Sequence, residues 1–187
     1  LHLASRRQRQ MCIRDSGMTI VMMGGGLDLS VGSIFAIANL VALYCVHVLS
    51  LDPILTLLIT MGVGAACGAF NGFFIGIIGM RAFLTTLVTL IIYRSIVDLL
   101  LLEYALDISS VFPDSELWEY IGDGDTYGIP FVLVATVIVF IAGHLLISRM
   151  KPGWHLTAVG GSRRSAYNAG IKVKQTIFFS YVSCGIL

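Results

Sequence analysis

The sequence predicts an all-α protein, a polytopic transmembrane helical bundle with one helix broken at a glycine-rich segment. Two observations carry that prediction. Hydrophobic residues fill 57% of the 187 positions and charged residues only 12%, about half the charge share of a soluble domain, and mean hydropathy is +0.88. The apolar residues also fall in continuous runs without alternation, which excludes a transmembrane barrel and leaves helices to satisfy the backbone in lipid. A net charge of +1 offers no basic stripe to offset a phosphate backbone, so nucleic acid is excluded as a partner.

Taken in order, residues 1–16 are polar and basic, and composition switches at Gly17. The stretch lacks the apolar core of a signal peptide. It reads as a non-native or disordered basic segment, because Met11-Cys12-Ile13-Arg14-Asp15-Ser16 resembles translated sequencing-adapter remnants; a basic cytoplasmic tail is the alternative. Residues 17–187 read as a partial transmembrane domain with spans at about 17–26, 31–49, 54–78, 82–102 and 131–148. At 1.5 Å per residue the 18 residues of 131–148 give roughly 27 Å, about the hydrocarbon thickness. A further apolar span starts at 176 and stops after 12 residues, short of the roughly 20 a crossing needs, so the chain is expected to be a fragment.

The connections orient these spans. Residues 103–130 carry seven acidic residues (Glu103, Asp107, Asp114, Glu116, Glu119, Asp123, Asp125) and no Lys or Arg. Residues 149–175 carry six basic residues (Arg149, Lys151, Arg163, Arg164, Lys172, Lys174) and no acid. Basic loops stay in the cytoplasm, which places 149–175 inside, 103–130 outside and the glycine-rich break toward the cytoplasmic half. Within the outer loop, Leu117, Trp118 and Ile121 share one side of a short helix suited to the interface.

Several residues stand out from the apolar background. Gly64, Gly68, Gly72 and Gly76 recur every fourth position, a spacing that lets helix backbones approach closely; it reads as packing. Asn71 lies within that face, either bonding a neighbouring helix or facing a polar path. The run Gly24-Gly25-Gly26-Leu27-Asp28-Leu29-Ser30-Val31-Gly32-Ser33 disfavours a continuous helix and sets Asp28 at membrane depth. Asp28 or Ser30 caps the next helix, or the break lines a translocation path. Arg94 and Asp98, four apart, form a structural pair or a gate. His47 and His144 stand alone in apolar runs. Cys12, Cys45, Cys67 and Cys184 form no CxxC pair and read as small hydrophobes without a metal or redox role.

The core of Gly17–Ser33 resembles the "GGIDLSVGS" motif of permeases in ribose-type (monosaccharide) bacterial ABC importers. Gly68-Ala69-Phe70-Asn71-Gly72 resembles that family's glycine-x-x-asparagine-glycine segment, and Ala82-Phe83-Leu84-Thr85-Thr86-Leu87-Val88-Thr89 its "PFIATLGT" stretch, with Ala82 in place of proline. Residues 158–171 resemble "AIGGNEEAARLSGI", the cytoplasmic coupling loop that grips the ATPase, with Arg163 and Arg164 where acids are common. Branched-chain amino-acid permeases are less similar, lacking the Asp-Leu-Ser-Val-Gly run.

The resemblance implies a permease subunit that forms the path for a monosaccharide. Its implied partners are an ABC ATP-binding subunit, a second permease subunit (homo- or heterodimer), an extracytoplasmic sugar-binding protein and the lipid bilayer. It implies a multi-pass location in the bacterial cytoplasmic (inner) membrane. The chain carries no GxxxxGK[ST] phosphate loop, so it reads as a transport subunit, not an enzyme, with no cofactor of its own and ATP bound by the partner. The expected path comprises Asp28, Ser30, Asn71, Thr85, Thr86, Thr89 and Arg94. The expected coupling loop comprises Gly160, Gly161, Ser162, Arg163, Arg164, Ser165, Ala166 and Gly170. The rival readings are an ion-coupled secondary transporter, an ABC permease for a nucleoside or branched-chain amino acid, and a non-transporting membrane assembly protein.

Overall fold

Residues 15–109, 125–126 and 129–187 are described by the computed structural model. The leading segment up to residue 14 and the interfacial helix expected at 113–121 lie outside the described residues. Helix α1 covers residues 15–23, and α2 covers Val31–His47. Helix α3, Pro53–Gly72, runs directly into a π-helical segment, Phe73–Ile78. After a non-helical turn at 79–81 comes α4, Ala82–Ser109. A two-residue antiparallel ladder, β1 (Asp125–Thr126) with β2 (Ile129–Pro130), precedes α5, Phe131–Arg149. Then follow α6 (Lys151–Gly161), α7 (Arg163–Asn168) and α8 (Val173–Ile186).

The apolar content makes this an all-α membrane protein. Pro53–Ile78 and Ala82–Tyr104 are each long and apolar enough to cross a bilayer, and Leu133–Arg149 with Lys151–Gly161, bent by 70°, forms a third candidate. Ile54, Leu58, Ile91, Leu99 and Leu102 stay exposed, as side chains facing acyl chains do.

Several element boundaries depart from the sequence reading. Residues 15 and 16, assigned to the basic segment, are helical and continuous with α1, which ends at 23 and not 26. Helix α2 stops at His47, two residues before the end of its apolar run, and the chain turns through Ser50 at φ 49°. The run 54–78 is not one α-helix, because its last six residues adopt the wider π form. Helix α4 continues past residue 102 to Ser109. The stretch 149–175 is not simply a loop: it holds two helices, and α8 begins at Val173 before the apolar run. Hydropathy marks where lipid lies, not where helical hydrogen bonding stops, so polar residues extend two of these helices.

Backbone proximity organises the bundle. Helices α3 and α8 run antiparallel, and the four spaced glycines of α3 and its π extension all lie against α8. A Cβ on Gly72 would come within 2.8 Å of the Phe178 carbonyl, and one on Gly76 within 2.9 Å of the Phe178 amide. Gly68 meets the Tyr181 carbonyl and Gly64 the Gly185 carbonyl just as closely. Lipid tails are as apolar as leucine, so helix association here relies on such close packing in place of hydrophobic transfer. A second cluster joins α2 to α4 through Ile34, Ile37 and Leu40 against Tyr93 and Val97.

Gly62 supplies an internal comparison, since nothing lies within 4 Å of a Cβ there. Gly68→Ala is expected to destabilise the protein by about 1–3 kcal/mol through overpacking. Gly62→Ala should stabilise it by up to about 1 kcal/mol through helix propensity. Thermal unfolding of both variants in detergent checks the contrast; equal midpoints would contradict the packing.

Candidate functional site: a buried polar chain at the helix break

Helix α1 ends because its backbone turns left-handed at Gly25, φ +73°. The Gly26 N–H donates to the Val21 carbonyl at 3.1 Å and the Gly25 N–H to the Met22 carbonyl at 2.9 Å, the paired bonds of a Schellman ending. The flanking glycines serve proximity. A Cβ on Gly24 would sit 2.9 Å from Leu156 Cδ1, and one on Gly26 would sit 2.6 Å from Tyr181 Oη. Gly25 is required by its left-handed backbone, while Gly24 and Gly26 leave room for the tips of Leu156 and Tyr181.

Past the turn, the chain carries Asp28 inward at 2% exposure. Asp28 Oδ1 accepts two hydrogen bonds from Ser30, one from its N–H at 2.9 Å and one from its hydroxyl at 2.6 Å. The Asn71 side-chain amide of α3 then donates to Ser30 Oγ at 2.7 Å. The result is a directed chain, Asn71 to Ser30 to Asp28, that ties the break to α3. Ser30 makes no side-chain cap of α2, contrary to one reading of the sequence, because its Oγ is turned toward Asp28 and accepts from the Asn71 amide in place of a helix N–H. Its own carbonyl instead accepts from the Ser33 and Ile34 amides, both at 2.9 Å.

Two more helices close on the same segment. Thr86 Oγ1 of α4 bonds the Ala82 carbonyl at 2.9 Å and lies 3.5 Å from the Leu27 carbonyl. Tyr181 Oη of α8 approaches that carbonyl to 3.4 Å. Unwound backbone is tolerated at membrane depth only when protein or a cavity surrounds it, and here protein does so. Asp28 Oδ2, Asn71 Oδ1 and Thr56 Oγ1 are buried and have no hydrogen-bond partner among the described residues. A carboxylate oxygen and an amide oxygen without donors form a site that can accept O–H groups. With Ser30, Asn71 and Thr86 all at 0% exposure, the arrangement is closed.

The remaining residues singled out from sequence divide. Thr85 and Thr89 are buried on α4, but their hydroxyls bond the carbonyls of Arg81, just before that helix, and Thr86, within it, at 3.1 and 3.2 Å. Arg94 is not brought to the site: its guanidinium faces outward, 3.8 Å from Asp98. In the 149–175 segment, Ser162 starts α7 by accepting from the Ser165 amide at 3.3 Å and the Ser165 hydroxyl at 3.0 Å. Gly170, φ +80°, ends it. Ala166 is buried while Arg163 and Arg164 are exposed. Gly161 has open space beside it, but a side chain on Gly160 would run into the Met23 carbonyl, so α6 abuts the break directly.

Sequence reasoning missed Tyr181, Tyr93 and Thr56. Tyr93 Oη donates to the Cys67 carbonyl at 3.1 Å, and Thr56 has 0% exposure. The available signal was their polar atoms within apolar runs, since such atoms must find partners in lipid.

With this geometry in hand, comparison with known proteins places the chain. Residues 15–187 match the family model described as branched-chain amino acid transport system / permease component. The chain is 32% identical to the fructose import permease of Bifidobacterium longum, over 92% of this chain and 48% of that protein. It is 29% identical to the galactofuranose transporter permease of Escherichia coli, over 91% of this chain and 48% of that protein. The ribose import permease of Escherichia coli is 28% identical, over 91% of this chain and 53% of that protein. The chain thus spans about half the length of these relatives. No solved structure matches.

Ser30→Ala and Asn71→Ala should each cost about 1–3 kcal/mol, because each strands a buried polar group. Combined, they should cost less than the sum, with a coupling of at least about 0.5 kcal/mol. Chemical or thermal unfolding of the two single variants and the double variant measures it; strict additivity would show that the chain of bonds does not exist.

Proposed function

The chain belongs to the permease-component family of branched-chain amino acid transport systems, and from that premise we propose that it forms the translocation path of an ABC importer for a monosaccharide. The observation that carries the choice of solute is that permeases named for fructose, galactofuranose and ribose match 91–92% of this chain. The unpartnered acceptors of Asp28 and Asn71 suit the hydroxyl donors of such a solute. Transient, weak contacts serve a permease well, because a separate extracytoplasmic binding protein supplies selectivity. These relatives do not favour the ion-coupled alternative.

In this reading the permease pairs with a second permease subunit in the bacterial inner membrane, and ATP is bound and hydrolysed by an ABC ATP-binding subunit. The exposed Arg163 and Arg164 on α7 form part of the surface that subunit grips. Closure of the ATPase displaces α7 and α6 together. Because Gly160 lies against Met23, that displacement reaches the break that carries Asp28. Asp28, Ser30, Asn71 and Thr86 then separate enough to admit solute, and Thr85 and Thr89 contribute the neighbouring polar wall.

Arg163→Glu combined with Arg164→Glu in the full permease tests the coupling role. The expected outcome is loss of ATPase co-purification and at least a tenfold fall in ATP-driven sugar uptake, with the permease still present in the membrane. Unchanged ATPase association and uptake would remove these arginines from the contact.

A further inference from the structure

Two clefts flank α5 and lie away from the polar chain. The first, about 760 Å³, lies at the bend between α5 and α6 and is lined by Lys151 and Lys172 together with the apolar Leu146, Leu156 and Phe179. The second, about 800 Å³, runs along α5 from Thr136 to Ile147 against α1 and α8. Ile20, Leu146 and Ser183 line both, so the two form one continuous surface with a cationic end and an apolar groove.

We infer that this surface is a binding site for an anionic phospholipid of the cytoplasmic leaflet, its headgroup between Lys151 and Lys172 and its acyl chains along α5. Charge argues for the headgroup. Both lysines are exposed, and residues 149–175 contain no acid to neutralise them. The acid among the residues lining the two clefts, Asp15, belongs to the groove and not to the cationic end. Basic pockets between helices on the cytoplasmic side are suited to such headgroups.

Dimension argues for the tails. Thr136 to Ile147 covers about 16 Å of helix axis, close to the ~15 Å depth of one leaflet. The position agrees as well. Helix α6 bends away from α5 by 70°, and exposed Trp154, which lies on α6 between the cleft-lining Pro152 and His155 with Nε1 bonded to the Ser148 carbonyl at 3.1 Å, suits an interfacial position. Nothing in this inference depends on the solute or on the ATPase.

Trp154 also provides the readout. The permease carrying Trp118→Phe is purified in detergent, and its fluorescence is titrated with acyl-brominated phosphatidylglycerol or acyl-brominated phosphatidylcholine. Quenching should require about tenfold less of the anionic lipid. Lys151→Gln with Lys172→Gln should bring the two lipids to equal effect, while Lys151→Arg with Lys172→Arg should keep the preference. Arg163→Gln with Arg164→Gln should keep it too. Equal quenching by both lipids in the unsubstituted protein would overturn the inference, as would a preference that survives loss of the lysines. No quenching by either lipid would also overturn it, showing that protein covers the cleft.

Discussion

An unwound backbone segment in lipid has no water to bond to, and the rest of this bundle is arranged around meeting that requirement at residues 24–30. Schellman bonds satisfy the first amides, and Asp28 takes the Ser30 amide. Thr86 and Tyr181 converge on the Leu27 carbonyl. With Asn71 of α3 bonded to Ser30 Oγ, these contacts come from α1, α3, α4 and α8, which cannot be repositioned independently without exposing a polar group. A buried hydrogen bond contributes little net stability, but leaving its members unpaired costs about 1–3 kcal/mol each. The polar chain therefore specifies geometry more than it adds stability.

Close backbone contact is the second half of the same arrangement. The glycines of α3 admit α8, which brings Tyr181 to the break; Gly24 and Gly160 let α6 pack against the other side of it. Packed surfaces with so little free space move as units. A push on α7 has a short path to Asp28 through the α6 end, Met23 and the unwound residues 24–27. The unpartnered buried oxygens of Asp28 and Asn71 leave the break with spare acceptor capacity for a hydroxyl-bearing guest.

Much of this was legible in the residues. Continuous apolar runs identified a helical membrane protein, and the triplet Gly24-Gly25-Gly26 with Asp28 located the break, because three glycines and a carboxylate are so costly within a lipid-embedded helix. Which partner Asn71 would choose was not legible: bonding to Ser30 depends on how α2 and α3 lean together, and a single sequence carries no such distance. The π-helical Phe73–Ile78 was equally silent, since residue propensity does not separate that hydrogen-bond pattern from the α form. Arg94 drew notice as an arginine in an apolar run, yet position on the outer face of α4 decided against it. Tyr181 was hidden by its apolar body, its hydroxyl being the only sign of a polar task.

The central claim is that the helix break is protein-enclosed and hydrogen-bonded, not an open loop. Amide hydrogen exchange of the reconstituted permease measures this directly at Gly24, Gly25, Gly26 and Ser30. Enclosure predicts protection comparable to that of the α2 interior. Exchange at the rate of an unstructured, solvated peptide would contradict the account.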